Sequence, residues 1–457
     1  MCHAHAGQKA SGIEHMNVAA AGSRLPAGQF LIGVGRIPDR SRSPMAVEDG
    51  EGYHERPSMT TSETEVLVIG GGIAGTSAAY HLAALGHRVT LLERGEIASG
   101  ASGVNMGGID SLGLGDKPDL QAHLTAGSLD IFKTVQLDHG EDIELRQSGA
   151  LQAIHTEEQL AFERERVAAL RARGHQVQLL TTREARSLEP ELSPALLGAM
   201  YSPLRSQADP ARATRAFAAL AERRGARILT QHEVTALTPR ARGWLAVMPQ
   251  GSIVARSLVL AAGAWCGPVG ILLGLDIPIV PVRGQMWATT PTAPCLFQTI
   301  SSAESAHAWY REPGDDPPFL TIRKGARVTR HLYGRQRRNG EIIFGGDREL
   351  AAWNTTPDPR GIEANRAHAA EVLPCLAGLP IARTWAGLMP FPLDGKPLIG
   401  RIPRRDDLWI VGGLASSGFG RGPMAGKLLA EYIHSGRPAP VLAEADPARC
   451  VVERMAR

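Results

Sequence analysis

The residues that most constrain the fold lie between Glu65 and Arg94, where two short apolar runs flank a glycine-rich turn and an alanine-rich stretch. The two apolar runs, Val66–Ile69 and Arg88–Leu92, have the length and composition of buried strands. The alanine-rich stretch between them, Thr76–Leu85, predicts a helix. A strand, a helix and a second strand in this order form a βαβ unit, which sets the two strands in one parallel sheet.

The turn of this unit contains three glycines, Gly70, Gly72 and Gly75, at the spacing found in dinucleotide sites. The first glycine permits a tight turn, the second lets the backbone approach a pyrophosphate, and the third lets the helix pack closely on the strand. The helix N-terminus then faces the phosphates, and Glu93 at the end of the second strand can bind a ribose hydroxyl pair. The pattern therefore predicts a dinucleotide site rather than a glycine turn without a ligand.

The size and charge of the chain limit what else it can be. With 457 residues it is too long for one simple core, so we expect two domains. A net charge of +3 gives no reason to expect a nucleic-acid partner. No apolar run reaches the ~18–20 residues of a membrane span, so we expect no transmembrane segment.

The cysteines are widely scattered and lack the CxxC spacing of a zinc site. They are Cys2, Cys266, Cys295, Cys375 and Cys450. Their odd number and scatter argue against a disulfide framework. We therefore expect no metal site and a reducing compartment, the cytoplasm.

The two ends of the chain differ in composition from the rest. Residues 1–62 are rich in Gly, Ala, Arg, Ser and His, show no sustained periodicity and lack the apolar core of a secretory signal. They predict a disordered N-terminal extension, and Met59 offers an alternative start just before the first strand. Residues 437–457 predict a C-terminal tail rich in Pro and Ala.

Helices and strands alternate after the βαβ unit. Residues 94–109 form a loop rich in Gly and Ser that can contact phosphate or a planar ring. Asp209 and Pro210 predict the N-cap and first turn of an amphipathic helix that ends at Gly225. The other helices and strands predicted here are Asp119–Asp138, Ser148–His155, Glu158–Arg173, Arg227–Thr230, Glu233–Leu237, Gly243–Met248 and Ser252–Leu260.

From Ile277 the pattern changes to β structure. Ile277–Thr289 predicts a pair of strands, and Asn339–Gly340 predicts the turn of a hairpin between Val328–Gln336 and Glu341–Gly345. This block predicts an antiparallel sheet inserted into an α/β protein. Beyond it we predict a helix at Gly361–Val372, a strand at Leu408–Val411, a glycine-rich loop at 412–426 and a helix at Lys427–His434.

The order of these segments resembles the D-amino-acid oxidase-like (DAO) family of FAD-dependent oxidoreductases, which includes glycine oxidase and sarcosine oxidase. The resemblance covers roughly residues 65–436 and depends on segments 65–94, 100–108, 259–265, 281–285, 385–400 and 412–426. It implies an α/β protein with a Rossmann-like FAD-binding domain of the glutathione-reductase type. An inserted, mainly antiparallel β-sheet domain is expected to bind the substrate.

The same resemblance divides the chain between the two domains. The FAD-binding domain is expected to consist of residues 63–140, 205–270 and 361–436. The substrate domain is expected to consist of residues 141–204 and 271–360.

The resemblance also implies which residues hold FAD. Those at the pyrophosphate are Gly70, Gly72, Ile73, Ala74, Gly75 and Ser102. Those at the adenosine end are Glu93, Arg94, Val234, Ala262, Gly263 and Trp265. Those at the flavin are Asn105, Met106, Gly107, Gly413, Leu414, Ser417, Gly418, Phe419 and Gly420.

Three positions depart from the pattern of the family. Glycine oxidase-like sequences carry a carboxylate-binding arginine where this chain has Met389. Monomeric sarcosine oxidases link the flavin to a cysteine near the position of Leu388, and since none lies nearby we expect non-covalent FAD. Arg421 replaces a lysine of the sarcosine oxidases and is our candidate to bind a substrate carboxylate. The alternative for Arg421 is a surface residue at the start of a helix.

Candidates for the substrate pocket follow from residue type alone. The β block offers Tyr310, His331, Tyr333 and Arg335. Tyr333 and Arg335 are two residues apart and so share one face of a strand, although sheet packing is the alternative for Tyr333. For the tryptophans Trp287 and Trp309, packing in the core is favoured over contact with a substrate.

The implied reaction is oxidation of the CH–NH bond of an amino acid or secondary amine, with hydride transfer to flavin N5 and an imine product. An oxidase would pass the electrons to oxygen. A dehydrogenase would pass them to a quinone or a partner subunit, as in opine or proline dehydrogenase complexes. A third alternative is an FAD-binding assembly factor without catalysis. An NAD-binding dehydrogenase fits the βαβ unit but leaves the C-terminal glycine-rich segment unexplained.

Overall fold

The structure is a computed structural model that describes residues 61–110, 119–304, 322–323, 326–327 and 331–454. Residues 1–60 of the N-terminal extension predicted over residues 1–62 therefore lie outside the described residues. Two pocket candidates, Trp309 and Tyr310, also lie outside them.

The described residues form two large sheets, three short strand pairs and a set of helices. In chain order the strands are β1 Thr61–Ile69, β2 Val89–Leu92, β3 Gly108–Ile109, β4 Ala150–Ile154, β5 Gln178–Leu180, β6 Gly198–Ser202, β7 Ser206–Gln207, β8 Arg227–Leu229, β9 Ala236–Pro239, β10 Trp244–Met248, β11 Gly251–Leu260, β12 Leu275–Asp276, β13 Ile279–Thr289, β14 Thr299–Ser302, β15 Ile322–Arg323, β16 Ala326–Arg327, β17 Tyr333–Gln336, β18 Ile342–Gly345, β19 Ile381–Pro392, β20 Leu398–Arg401, β21 Leu408–Gly412 and β22 Val452–Glu453.

The α-helices in chain order are α1 Ile73–Ala84, α2 Ala101–Val104, α3 Asp119–Lys133, α4 Glu157–Ala172, α5 Thr182–Leu188, α6 Pro210–Arg223, α7 Cys266–Leu272, α8 Pro359–Val372 and α9 Gly418–Ser435. Among the described residues, no helix is long and apolar enough to cross a lipid bilayer.

The first sheet extends the predicted βαβ unit on both sides. Its strands lie in the order β20-β21-β11-β1-β2-β8. The strands from β21 to β8 are parallel, and β20 adds an antiparallel edge. Strands β9 and β10 continue from β11 as an antiparallel ribbon. The parallel order with a crossover helix confirms the Rossmann-like domain.

Helix α9 packs closely on α1 across one face of this sheet. A Cβ at Gly422 would lie 2.6 Å from Ile73 Cγ2, and a Cβ at Gly426 would lie 2.7 Å from Ala74 O. The prediction that the last helix begins at Lys427 was therefore wrong, because α9 begins at Gly418 within the glycine-rich segment. The glycines lower helix propensity, but they allow the close approach of the two helices.

The second sheet has the strand order β19-β13-β18-β17-β14-β4-β6-β5. All its pairs are antiparallel except β14 with β4, which confirms the predicted antiparallel insertion. The predicted hairpin is also present, because β17 and β18 pair across Asn339–Gly340. The predicted strand pair at Ile277–Thr289 is instead the single strand β13, whose partner β19 was not predicted.

The prediction that the FAD-binding domain resumes at residue 361 does not match the packing, because the residues just after 361 pack with the second sheet. Helix α8 crosses this predicted border and strand β19 follows it, yet β19 is the edge strand of the second sheet. Ile362 and Ala369 of α8 join Trp287 and Phe344 in the core of that sheet. Trp287 also donates from Nε1 to Asn365 Oδ1 of α8 over 2.9 Å, so it is a core residue. The first sheet resumes only at β20.

Candidate functional site

A cavity of about 710 Å³ opens where β1, β2 and β11 of the first sheet end. The first turn of α1, helix α2 and the turn after β11 form one side of it. Tyr333 and residues 386–390 close it from the second sheet. Open α/β sheets bind ligands at the carboxyl ends of their strands, and this volume is typical of a cofactor site.

The turn from β1 into α1 is shaped by two glycines. Gly70 has a φ of +120°, and a Cβ on it would lie 2.4 Å from Ala261 O. A Cβ on Gly75 would lie 2.1 Å from Gly70 O. Both positions therefore exclude side chains, and the N-terminus of α1 reaches the cavity with the positive end of its dipole.

The acidic residue that follows β2 lies in the cavity wall beside this glycine turn. Glu93 accepts hydrogen bonds from the backbone N–H of Gly71 at 2.7 Å and of Gly95 at 2.8 Å. These amides fix the carboxylate at the cavity wall. Beside it, the Arg94 guanidinium lies 3.9 Å from the ring centre of Trp265. A carboxylate and a stacked cation–aromatic pair are suited to the adenosine end of a dinucleotide.

The glycine-rich loop after β2 is fixed by its own side chains and by the second sheet. Asn105 Nδ2 donates to Ala101 O at 2.9 Å, and Asn105 Oδ1 accepts from the Gly107 N–H at 2.8 Å. Trp385 of β19 donates from Nε1 to Val104 O at 2.7 Å. The loop therefore forms an ordered wall between the two sheets rather than a flexible linker.

The structure brings together most of the residues predicted to hold the cofactor. Those in the cavity wall are Gly70, Gly72, Ile73, Ala74, Glu93, Arg94, Ser102, Asn105, Val234, Ala262, Gly263, Trp265, Leu414, Gly418 and Phe419. The others lie behind this wall, and they are Gly75, Met106, Gly107, Gly413, Ser417 and Gly420. Several of the latter serve packing instead, since a Cβ at Gly107 would lie 1.9 Å from Ala208 O.

The structure does not place Arg335 in the cavity, contrary to the prediction. Its side chain is fully buried and donates from Nε to Met106 O at 2.6 Å and from Nη2 to Ala208 O at 3.0 Å. Burial and the neighbouring Arg146 lower its pKa to about 10. Arg335 therefore fixes the backbone behind the glycine-rich loop.

Arg421 also does not reach the cavity wall. It is 8% exposed, and its Nε donates to Thr125 Oγ1 of α3 at 3.3 Å. Burial lowers its pKa to about 10, while the carboxylate of Asp110 acts in the opposite direction. Neither of the predicted roles, carboxylate binding or a surface position, fits this packing between helices.

Tyr333 is the predicted pocket residue that does line the cavity. Burial raises the pKa of its phenol, and Asp347 acts in the same direction. The charge of Arg348 lies close enough to act in the opposite direction. The phenol is therefore protonated at neutral pH and available as a hydrogen-bond donor.

Several wall residues were not predicted from the sequence as part of the site. They include Gly71, Val104, Trp353 and Thr355. Trp353 and Thr355 lie on the segment between β18 and α8, for which no sequence pattern indicated a site. Arg348, on the same segment, lies outside this wall but near Tyr333, and nothing in its local sequence separates it from a surface arginine.

His331, a predicted pocket residue, is not in the cavity wall and instead makes stability dependent on pH. It is 6% exposed, and burial together with the charge of Arg348 lowers its pKa to about 3. In the unfolded chain its pKa is about 6.5, so below that pH the unfolded state binds a proton that the folded state does not. Stability from this residue is therefore full above about pH 6.5 and declines toward pH 3, by up to ~1.4 kcal/mol per pH unit.

When the pH is lowered from about 7 to about 5, we expect the unfolding free energy of His331→Gln to fall less than that of the natural chain. Urea unfolding at several pH values measures this difference. The exposed His434, replaced in the same way, is the control. Parallel pH profiles for His331→Gln and the natural chain would contradict the assignment.

The fold and the cavity together define a dinucleotide-binding protein whose site is also lined by residues of a second sheet. The family described as FAD dependent oxidoreductase (DAO) matches residues 65–432, and the chain belongs to this family.

Comparisons with individual proteins agree with this assignment. The chain is 31% identical to a glycine oxidase of Pseudomonas aeruginosa over 82% of its own length and 95% of that protein. A crystal structure of glycine oxidase from Geobacillus kaustophilus superposes with a TM-score of 0.74 at 24% identity, covering 85% and 99% of the two chains. L-proline dehydrogenase from P. horikoshii superposes with a TM-score of 0.72 at 26% identity, covering 85% and 98%.

The residues present fit the FAD of this family. The two glycines that exclude side chains leave room at the N-terminus of α1, where a pyrophosphate can approach the backbone. Glu93 and Trp265, which follow strands of the first sheet, and Tyr333 of the second sheet line the same cavity. Its volume of about 710 Å³ is in the range of cofactor sites.

Proposed function

We propose that this protein oxidises the CH–NH bond of an amino acid or secondary amine and forms an imine. The observation that carries the proposal is the shared cavity, in which the dinucleotide site of the first sheet meets Tyr333, Leu388 and Met389 of the second sheet. When bound, FAD supplies the hydride acceptor, its N5 atom. The glycine oxidase and L-proline dehydrogenase that resemble this chain support the same class of substrate.

The protein's own part is to orient the substrate and exclude water. Part of the cavity wall is apolar, with the side chains of Val104, Leu388, Met389 and Phe419. Such a wall removes water from the reacting C–H bond and packs against the carbon atoms of the substrate. The reaction needs no additional nucleophile, because the cofactor carries the chemical step.

The polar contact to the substrate is assigned to Tyr333. Its protonated phenol can donate a hydrogen bond to a carboxylate, and the nearby charge of Arg348 favours an anion at that position. Met389 occupies the position at which related sequences place an arginine, and Arg421 is buried against α3. We therefore propose that a substrate carboxylate, where present, binds at Tyr333.

We expect Tyr333→Phe to raise KM for an amino-acid substrate by about 10- to 150-fold, since a hydrogen bond to a charged group contributes ~1.5–3 kcal/mol. FAD affinity should not change, because the variant keeps the ring in place. Steady-state kinetics and an FAD titration measure the two quantities. Tyr201→Phe, on β6 and outside the cavity wall, is the control. An unchanged KM for Tyr333→Phe would remove this residue from the substrate site.

The electron acceptor is tested by product formation under different conditions. Purified protein is mixed with each amino acid or amine, and the carbonyl product of imine hydrolysis is quantified with oxygen alone or with a soluble quinone under nitrogen. Product with oxygen alone identifies an oxidase, and product only with the quinone identifies a dehydrogenase. Absence of product under both conditions, with FAD bound, would favour a non-catalytic FAD-binding protein and contradict the proposal.

A further inference from the structure

The segment Pro281–Gln285 stood out in the sequence, yet none of its residues lines the cavity. On strand β13 it faces the chain between β18 and α8. The Arg283 guanidinium pairs with the Glu349 carboxylate, with Nε and Oε2 3.1 Å apart. The backbones of these two residues also exchange hydrogen bonds of 2.8 and 2.9 Å. Arg283 Nη1 donates to Thr356 O at 2.7 Å, so one side chain fixes both ends of residues 350–355.

Gln285 fixes the same segment at two further points. Its Nε2 donates to Asp347 Oδ2 at 2.7 Å, and its Oε1 accepts from the Asp358 N–H at 2.7 Å. Arg283 and Gln285 are 7% and 2% exposed, so both act away from water, where hydrogen bonds and ion pairs are strong. Residues 350–355, which we call the anchored segment, are thereby held in place although most of them are exposed.

The anchored segment places one tryptophan across the cavity. Trp353 lines the cavity and remains 42% exposed. Its ring centre lies 5.3 Å from that of Trp265 of the first sheet, with 32° between the planes. Arg94 lies over Trp265 on the same edge of the cavity, next to the adenosine-end carboxylate of Glu93. Three side chains from the two sheets therefore meet at this end.

We propose that Trp353 closes the adenosine end of the FAD cavity and slows release of the cofactor. The anchored segment is held against strand β13 of the second sheet, and its Trp353 contacts Trp265, which follows β11 of the first sheet. Release of the adenosine half then requires the Trp353–Trp265 contact to break. On this account Pro281–Gln285 acts on cofactor retention by positioning the anchored segment, without contact with FAD.

The test is FAD and ADP binding to the apoprotein, followed by flavin fluorescence for FAD and by calorimetry for ADP. Trp353→Ala should raise the Kd and the dissociation rate of FAD by about 3- to 10-fold, because it removes a ring from the cavity wall as well as the contact with Trp265. ADP, which contains only the adenosine half, should weaken by a similar factor. Trp353→Phe should restore much of the affinity, because it keeps an aromatic ring beside Trp265.

The matched control is Leu350→Ala, which changes an exposed apolar residue of the same segment outside the cavity wall. It should bind FAD and ADP as the natural chain does. Equal affinities and dissociation rates for Trp353→Ala and the natural chain would overturn the proposal, and so would an equal loss in Leu350→Ala. The readout is binding, so a chain that binds FAD but oxidises no amine would defeat the proposed function and leave this inference standing.

Discussion

Replacing Gly72 with aspartate should abolish FAD binding without unfolding the protein. Gly72 is the N-cap of α1 and lies in the cavity wall with an extended backbone open to aspartate, and a Cβ on it would lie 3.0 Å from Ser102 Oγ, so that this side chain must shift slightly. Aspartate is a good N-cap residue, so the helix itself should tolerate the change. Its carboxylate would, however, stand where the pyrophosphate must approach. Like charges at such a contact cost several kcal/mol, which predicts a loss of affinity of at least about 100-fold.

The measurement is an FAD titration of Gly72→Asp together with its thermal unfolding. Gly378→Asp adds the same charge at a glycine with open space around it and should bind FAD normally. Near-native FAD affinity in Gly72→Asp would show that the pyrophosphate lies elsewhere. A large drop in Tm without FAD would instead point to a structural role of Gly72.

The largest effect on stability should come from Arg283→Met. The Arg283–Glu349 pair is almost fully buried, at 8% and 3% side-chain exposure. Removing one member of a buried ion pair costs about 3–5 kcal/mol, because the other charge stays in a low-dielectric site without this counter-charge. The double variant Arg283→Met with Glu349→Met should recover part of the loss, since it removes both charges.

Urea unfolding at neutral pH measures these differences. The control is Arg338→Met, which removes an arginine from an exposed pair with Asp142 and should leave the unfolding free energy unchanged. If Arg283→Met were as stable as the natural chain, the buried pair would contribute nothing and the anchored segment would need another explanation.

The glycine turn after β1 and Glu93 could be predicted from the sequence because the local backbone geometry requires these residue types. Gly75 is required by its contact with Gly70 O in the same turn, Gly70 has a φ of +120° that favours glycine, and Glu93 follows the end of the second strand. Helix α6 was predictable for the same reason, since Asp209 caps it and Pro210 begins it. Each of these features depends on residues close together in the chain.

The remaining parts depend on contacts between distant segments, which no local pattern records. Arg335 has the residue type of a substrate ligand, but its partners are backbone carbonyls of Met106 and Ala208. Arg421 resembled a ligand at the start of a helix, yet it packs on α3. The start of α9 was not predicted because glycine and proline disfavour helices. The glycines are explained by the close contact of α9 with α1, a helix that lies far away in the chain.

The central claim is that the shared cavity oxidises amines, and it is tested most directly by the absorbance of the purified protein without oxygen. Amino acids and secondary amines are added one at a time to the FAD-loaded protein. We predict that the flavin absorbance bleaches with at least one of them, and that Tyr333→Phe requires a higher concentration for the same bleaching. A flavin spectrum that no amine or amino acid changes, while dithionite bleaches it fully, would contradict the account.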